Sequence, residues 1–147
     1  MNEIERLIAE NVPSQVWRSA PANPAIIAEC EARLGVCFPL SYRSFLAQFG
    51  AIDIGGSSIS GVLDNSLEDL GGGSVVGDTL WFREEWQLPL NLVVIQADDE
   101  APYCLDISNG SPECVVVCYE LHSKHASVIA SSFSEWVGVF IFGAENG

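Results

Sequence analysis

The chain has 147 residues, 48% of them hydrophobic, and 20 Asp plus Glu against 6 Lys plus Arg give a formal net charge of −14. That length is the usual size of one domain and buries roughly two thirds of the surface an unfolded chain exposes, so neither disulfide nor metal is required for folding. So acidic a field repels nucleic acid and anionic membranes and accelerates encounter with a basic protein, although it serves equally to keep an apolar chain in solution.

Met1 to Arg6 lacks the basic start and apolar stretch of a signal peptide, and no apolar run reaches the length needed to span a bilayer, so a cytoplasmic protein is expected. The odd set Cys30, Cys37, Cys104, Cys114 and Cys118 has no regular spacing and reads as reduced thiols in a reducing compartment. Ile4, Leu7, Ile8 and Val12 recur at helical spacing, predicting a first amphipathic helix that ends at the Val12-Pro13 step. A proline-rich linker follows. Asn23 then offers an N-cap with Pro24 behind it, Ile26, Ile27, Cys30 and Leu34 form an apolar face, and Gly35 supplies the stop. Pro39 opens a third helix in which Tyr42, Phe45, Leu46 and Phe49 share a face before Gly50, so the two helices form a hairpin with an aromatic seam.

From Ala51 glycines punctuate the chain, with a short β-like stretch around Ser58 to Val62. Three stronger strands are predicted at Leu92 to Ala97, Pro102 to Asp106 and Cys114 to Glu120, the last two joined by a turn at Asn109-Gly110. Ser132-Phe133-Ser134-Glu135 fits a capping box ahead of a last helix carrying Phe133, Trp136, Val137, Phe140 and Ile141. Together these predict an α+β fold in a single domain over residues 1–147, with an antiparallel or mixed sheet and the N-terminal and C-terminal helices packed on one face.

Leu34-Gly35-Val36-Cys37-Phe38-Pro39-Leu40-Ser41-Tyr42-Arg43-Ser44-Phe45-Leu46 resembles the signature of the SUKH superfamily, the Smi/Knr-like proteins: leucine-glycine, two residues, an aliphatic residue and proline, then tyrosine and phenylalanine-leucine. Phe38 stands where that pattern has leucine, Phe49-Gly50 where it has asparagine-glycine, and Ala101-Pro102 where a glycine-aspartate step is usual. Leu92 to Ile95, Tyr103 to Asp106, Val115 to Val117 and Ala130 to Trp136 follow in the family's order, so the likeness covers roughly Ile26 to Ile141. The resemblance implies a non-catalytic protein-binding domain: in bacteria most often an immunity protein that neutralises a toxin, frequently a nuclease, and in fungi a regulator of cell-wall synthesis. An acidic inhibitor suits a basic nuclease site because it occupies the place of the phosphates.

Site chemistry is sparse. His122 and His125 near Cys114 and Cys118 supply zinc-ligand types, but two cysteines four apart on a strand are too far apart for a compact chelate, and the histidine spacing fits no finger. Thiol catalysis needs an electropositive pocket, which six permanent cations in an acidic field do not favour. Gly71-Gly72-Gly73-Ser74 lacks the lysine of a phosphate loop. No catalytic residue, metal or cofactor is therefore assigned. The acids Asp64, Glu68, Asp69, Asp78, Glu84 and Glu85 are interleaved with Trp81 and Trp86, a combination that suits a protein interface, because tryptophan anchors binding while acids steer approach. Those tryptophans read equally well as core residues packed on the sheet. Asp98, Asp99 and Glu100 read first as a solvated turn and second as partner contact.

Overall fold

The computed structural model describes Arg6 and residues 16–54, 56–108 and 112–146. The predicted helix from Asn2 to Val12 lies outside these residues apart from Arg6, which is helical, and the turn at Asn109-Gly110 lies outside them too. Strand β1 (Val16–Arg18) precedes helices α1 (Pro24–Leu34) and α2 (Leu40–Phe49), the hairpin strands β2 (Ile52–Ile54) and β3 (Ser57–Ile59), and helix α3 (Val75–Trp86). Strands β4 (Leu92–Gln96), β5 (Tyr103–Asp106), β6 (Val116–Glu120) and β7 (His125–Ala130) then lead into α4 (Phe133–Asn146). The fold is α+β with two antiparallel sheets, ordered β1-β2-β3 and β4-β5-β6-β7.

The caps form as their residue types require. Asn23 Oδ1 accepts the Ile26 amide at 2.9 Å, and Gly35 closes α1 in the left-handed region at φ 69°. Helix α2 has no side-chain cap of its own; Glu113 serves from across the molecule, accepting the Ser41 amide at 2.9 Å and the Ser41 hydroxyl at 2.6 Å. At its other end Gly50 (φ 68°) is obligatory, because a Cβ there would lie 2.2 Å from the Ala20 carbonyl oxygen. For α4, Ser132 Oγ accepts the Glu135 amide at 3.1 Å, while the Glu135 carboxylate reaches back to the amide of Ser131 rather than of Ser132, shifting the box by one residue.

Strand pleating sorts the four-stranded sheet into two faces. Val93, Ile95, Leu105, Val116 and Ala130 join a cluster with Ile27, Cys30 and Leu34 of α1, Tyr42, Phe45 and Phe49 of α2, and Phe133, Trp136 and Phe140 of α4. The expected aromatic seam is present: Tyr42 stacks on Phe45 with centroids 5.8 Å apart and meets Phe133 edge-on at 5.0 Å. The Tyr42 hydroxyl donates to the Ser60 carbonyl at 2.6 Å, tying α2 to the chain after β3. Leu92, Val94, Cys104, Val117 and Tyr119 face the other way, against Phe82 and Trp86 of α3.

Four elements were not foreseen in the sequence. Strand β1 lies in the predicted linker, β2 ahead of the predicted β-like stretch and β7 where no element was expected, while α3 occupies the stretch read only as acids and aromatics. The N-terminal and C-terminal helices do share one sheet face, and α3 covers the opposite one. No helix among the described residues is long and apolar enough to cross a membrane.

Candidate protein-docking surface

Helix α3 begins at Ser74, whose Oγ accepts the Gly77 amide at 3.1 Å, with Asp78 in its first turn. It is held from three directions. Thr79 Oγ1 accepts the Val94 amide at 3.0 Å, fastening the helix to β4; Arg83 donates to the Leu34 carbonyl and to the Leu90 carbonyl, each at 3.1 Å; and Phe82 is buried in the second apolar cluster. With that side committed inward, Leu80, Trp81, Glu84 and Glu85 share the outward face, since residues three to four apart lie together on a helix. Trp81 is 53% exposed although its ring meets Phe82 edge-on at 4.9 Å. A large exposed aromatic beside Leu80 and two carboxylates is the combination found at protein-binding anchors.

The two tryptophans thus divide. Trp86, one turn on, is half-buried against the second cluster and meets the His122 ring at 5.2 Å, so it supports the sheet rather than projecting from it. Asp78 is also turned inward: its carboxylate accepts the Ser60 hydroxyl at 2.6 Å. Burial pushes its pKa up, opposed by hydrogen bonds from Ser60 and the Gly73 backbone. Asp64, Glu68 and Asp69 are exposed on the loop leading into α3, and Leu70 beside them is partly exposed. Asp98 caps its own turn, accepting the amides of Glu100 and Ala101 at 2.9 Å each, and Asp99 and Glu100 are exposed there. Glu100 shares a shallow cavity with Glu120 and His122. Through His122 and Trp86 that turn adjoins the C-terminal end of α3, whereas Asp64 to Asp69 flank its N-terminal end.

Four of the five thiols, Cys30, Cys104, Cys114 and Cys118, are poorly suited to nucleophilic work. Burial pushes Cys30 up to about 11 and Cys114 up to about 12, and raises Cys104 and Cys118 as well. No group of three or more His, Cys, Asp or Glu side chains among the described residues is arranged to hold a metal ion. Sequence reasoning missed Leu80 because the helix that exposes it was not recognised; the Ser74 cap, three residues before Gly77, was the available signal.

Comparison with protein families returns the SUKH_5 model, described as SMI1-KNR4 cell-wall, matched over residues 1–140. The match spans both sheets and most of α4.

Proposed function

The chain belongs to the SUKH (SMI1-KNR4) family, and from that premise we propose that it is an immunity-type inhibitor, one domain over residues 1–147, that binds a basic toxin domain in the cytoplasm and blocks it stoichiometrically. The family consists in general of non-catalytic immunity or regulatory domains. The observation that carries the reading here is Trp81, standing out from α3 between Leu80 and the carboxylates of Glu84 and Glu85. On a body of net charge −14 such a face attracts a cationic surface at long range and offers an apolar anchor at contact. Asp64, Glu68 and Asp69 at one end of α3, and Asp98, Asp99 and Glu100 at the other, extend the steering field. A nuclease domain, whose own site is basic to hold phosphates, is the best-matched target class.

The second reading, a regulatory scaffold docking on endogenous proteins, draws on the cell-wall description of the matching family. Co-purification from the native host, followed by mass spectrometry after a moderate salt wash, separates the two. A stoichiometric basic toxin domain supports the inhibitor; a diverse set of endogenous proteins overturns it in favour of the scaffold.

A further inference from the structure

Leu70 and helix α3 meet at a glycine. A Cβ at Gly77 would lie 2.0 Å from the Leu70 carbonyl oxygen and 3.2 Å from its Cβ, so the loop rests directly on the helix backbone there. Gly77 stands one turn before Leu80 and Trp81 on the outward side of α3, and neighbours three to four apart on a helix have Cβ atoms roughly 5–6 Å apart. The loop therefore sets Leu70 alongside that pair. Leu70, Leu80 and Trp81 are all exposed, and together they form one apolar strip that runs from the loop onto the helix. Its loop end is fixed: Asp69 Oδ1 accepts the Gly71 amide at 3.0 Å, the Gly71 carbonyl accepts the Ser74 amide at 3.0 Å, and Ser74 caps the helix.

Carboxylates stand at both ends of the strip. Glu68 and Asp69 precede Leu70 in the loop, Glu84 and Glu85 follow Leu80 and Trp81 by one turn, and all four are exposed. No cation offsets them locally: residues 64–82 contain neither Lys nor Arg, and Arg83 turns inward to the Leu34 and Leu90 carbonyls. An occupant must therefore match apolar surface in the middle with positive charge at both ends. A second copy does not, since 20 Asp plus Glu against 6 Lys plus Arg set like charge against like. An added strand does not suit the strip either, because α3 hydrogen-bonds its own backbone and offers no open ladder. A helix satisfies its own backbone and needs only side-chain contacts.

Resting on the reading of α3 as the docking surface, we propose that Leu70 is its second anchor and that the strip takes an amphipathic helix of the partner whose apolar ridge is flanked by lysine or arginine. Apolar residues one turn apart on that helix lie over Leu70, Leu80 and Trp81, and its cations meet Glu68 and Asp69 at one end and Glu84 and Glu85 at the other. Gly77 makes the strip continuous, since a side chain there would lift the loop from the helix.

Two synthetic peptides of about 18 residues, long enough to hold a helix, test this by NMR titration of the intact chain at physiological salt. They share one composition of leucine, alanine and lysine; one repeats leucine at three- and four-residue intervals, and the other scatters it so that no face forms. The patterned peptide is expected to bind at least roughly tenfold more tightly, shifting the amides of Leu70, Gly77 and Leu80 and the Trp81 indole. Leu70→Ser, which leaves the net charge at −14, is expected to weaken it about fivefold through the lost apolar contact. Equal affinity for both peptides, or no binding by either up to about 1 mM, overturns the proposal. Binding that is lost on Trp81→Ala but indifferent to Leu70→Ser overturns it while leaving α3 as the docking surface. Binding indifferent to both changes overturns it together with the reading on which it rests.

Discussion

One face of the β4–β7 sheet lies under α1, α2 and α4, with Phe45, Phe133 and Trp136 fully enclosed; on the other, α3 is the helix that covers it among the described residues, with Phe82 buried and Trp81 beside it half in solvent. The first face encloses interlocking rings that hold the helices to the sheet. On the second, α3 seats Phe82 against the sheet and leaves Trp81 on display. The contrast separates residues kept for stability from residues available to a partner, and it can be attacked at both ends.

The largest effect belongs to the deep face. Phe45→Ala is expected to cost about 4–5 kcal/mol, because Phe45 contacts Tyr42, Phe49 and Phe133 and leaves a cavity that two packed helices cannot close. Phe82→Ala is expected nearer 3 kcal/mol, since the half-exposed Trp81 ring lies against it and is free to move into the space. Urea unfolding of both variants checks the order, and a costlier Phe82→Ala would mean that α3 anchors the fold more than α2 does.

How much of this was legible in the sequence follows from the same contrast. Helices α1 and α2 announce themselves because each has one apolar face, a capping asparagine or proline before it and glycine after it. Helix α3 does not: Val75 and Val76 join the first cluster, Phe82 the second, and Leu80 and Trp81 face solvent, so apolar residues point in every direction and no period emerges. Gly77 within it reads as a breaker, yet it is needed where a Cβ would come 2.0 Å from the Leu70 carbonyl oxygen. Strand β7 was missed for the opposite reason, having almost no buried side to pattern. In the candidate site, the pairing of acids with tryptophans was visible beforehand. The division between Trp81 and Trp86 was not, since it depends on the position of each around a helix that the sequence does not reveal.

A smaller effect tests the joint between the two regions. The Asp78 carboxyl is raised by burial, so folding favours its protonated form; that contribution is complete below the unfolded value of about 3.9 and is lost as pH rises through the raised folded value. Asp106 runs the other way. Burial pushes it up, but hydrogen bonds from Asn91 and Ser108 outweigh this and hold it down, so its contribution is present above the unfolded value and is lost as pH falls through the lowered one. Asp78→Asn, which keeps an acceptor for the Ser60 hydroxyl, is therefore expected to unfold within about 1 kcal/mol of the parent at pH 7. Asp106→Asn is expected to destabilise at pH 7 and to converge with the parent as pH falls through the lowered folded value. Denaturation midpoints across that range decide it, and an Asp78→Asn loss well above this size would show that the ionised group is needed to hold α3 to the chain after β3.

The smallest effect on folding is expected at Trp81. Its ring is half in water, so Trp81→Ala should change unfolding free energy by no more than about 0.5–1 kcal/mol. If this surface is the anchor, the same change lowers partner affinity by 2 kcal/mol or more, about thirtyfold, expressed chiefly as faster dissociation. Reversing Glu84 and Glu85 should act on the other rate, slowing association and flattening its dependence on salt, because exposed charges steer encounter more than they hold a complex. Reversing Asp98, Asp99 and Glu100 should do so more weakly, since Asp98 is already engaged with its own turn. Trp86 is the control: its half-buried ring supports the second cluster, so its truncation lowers stability as well as binding. Trp81→Ala with unchanged stability and unchanged affinity would remove α3 from the binding surface, and the acidic turn beside His122 would then be the next place to look for the contact.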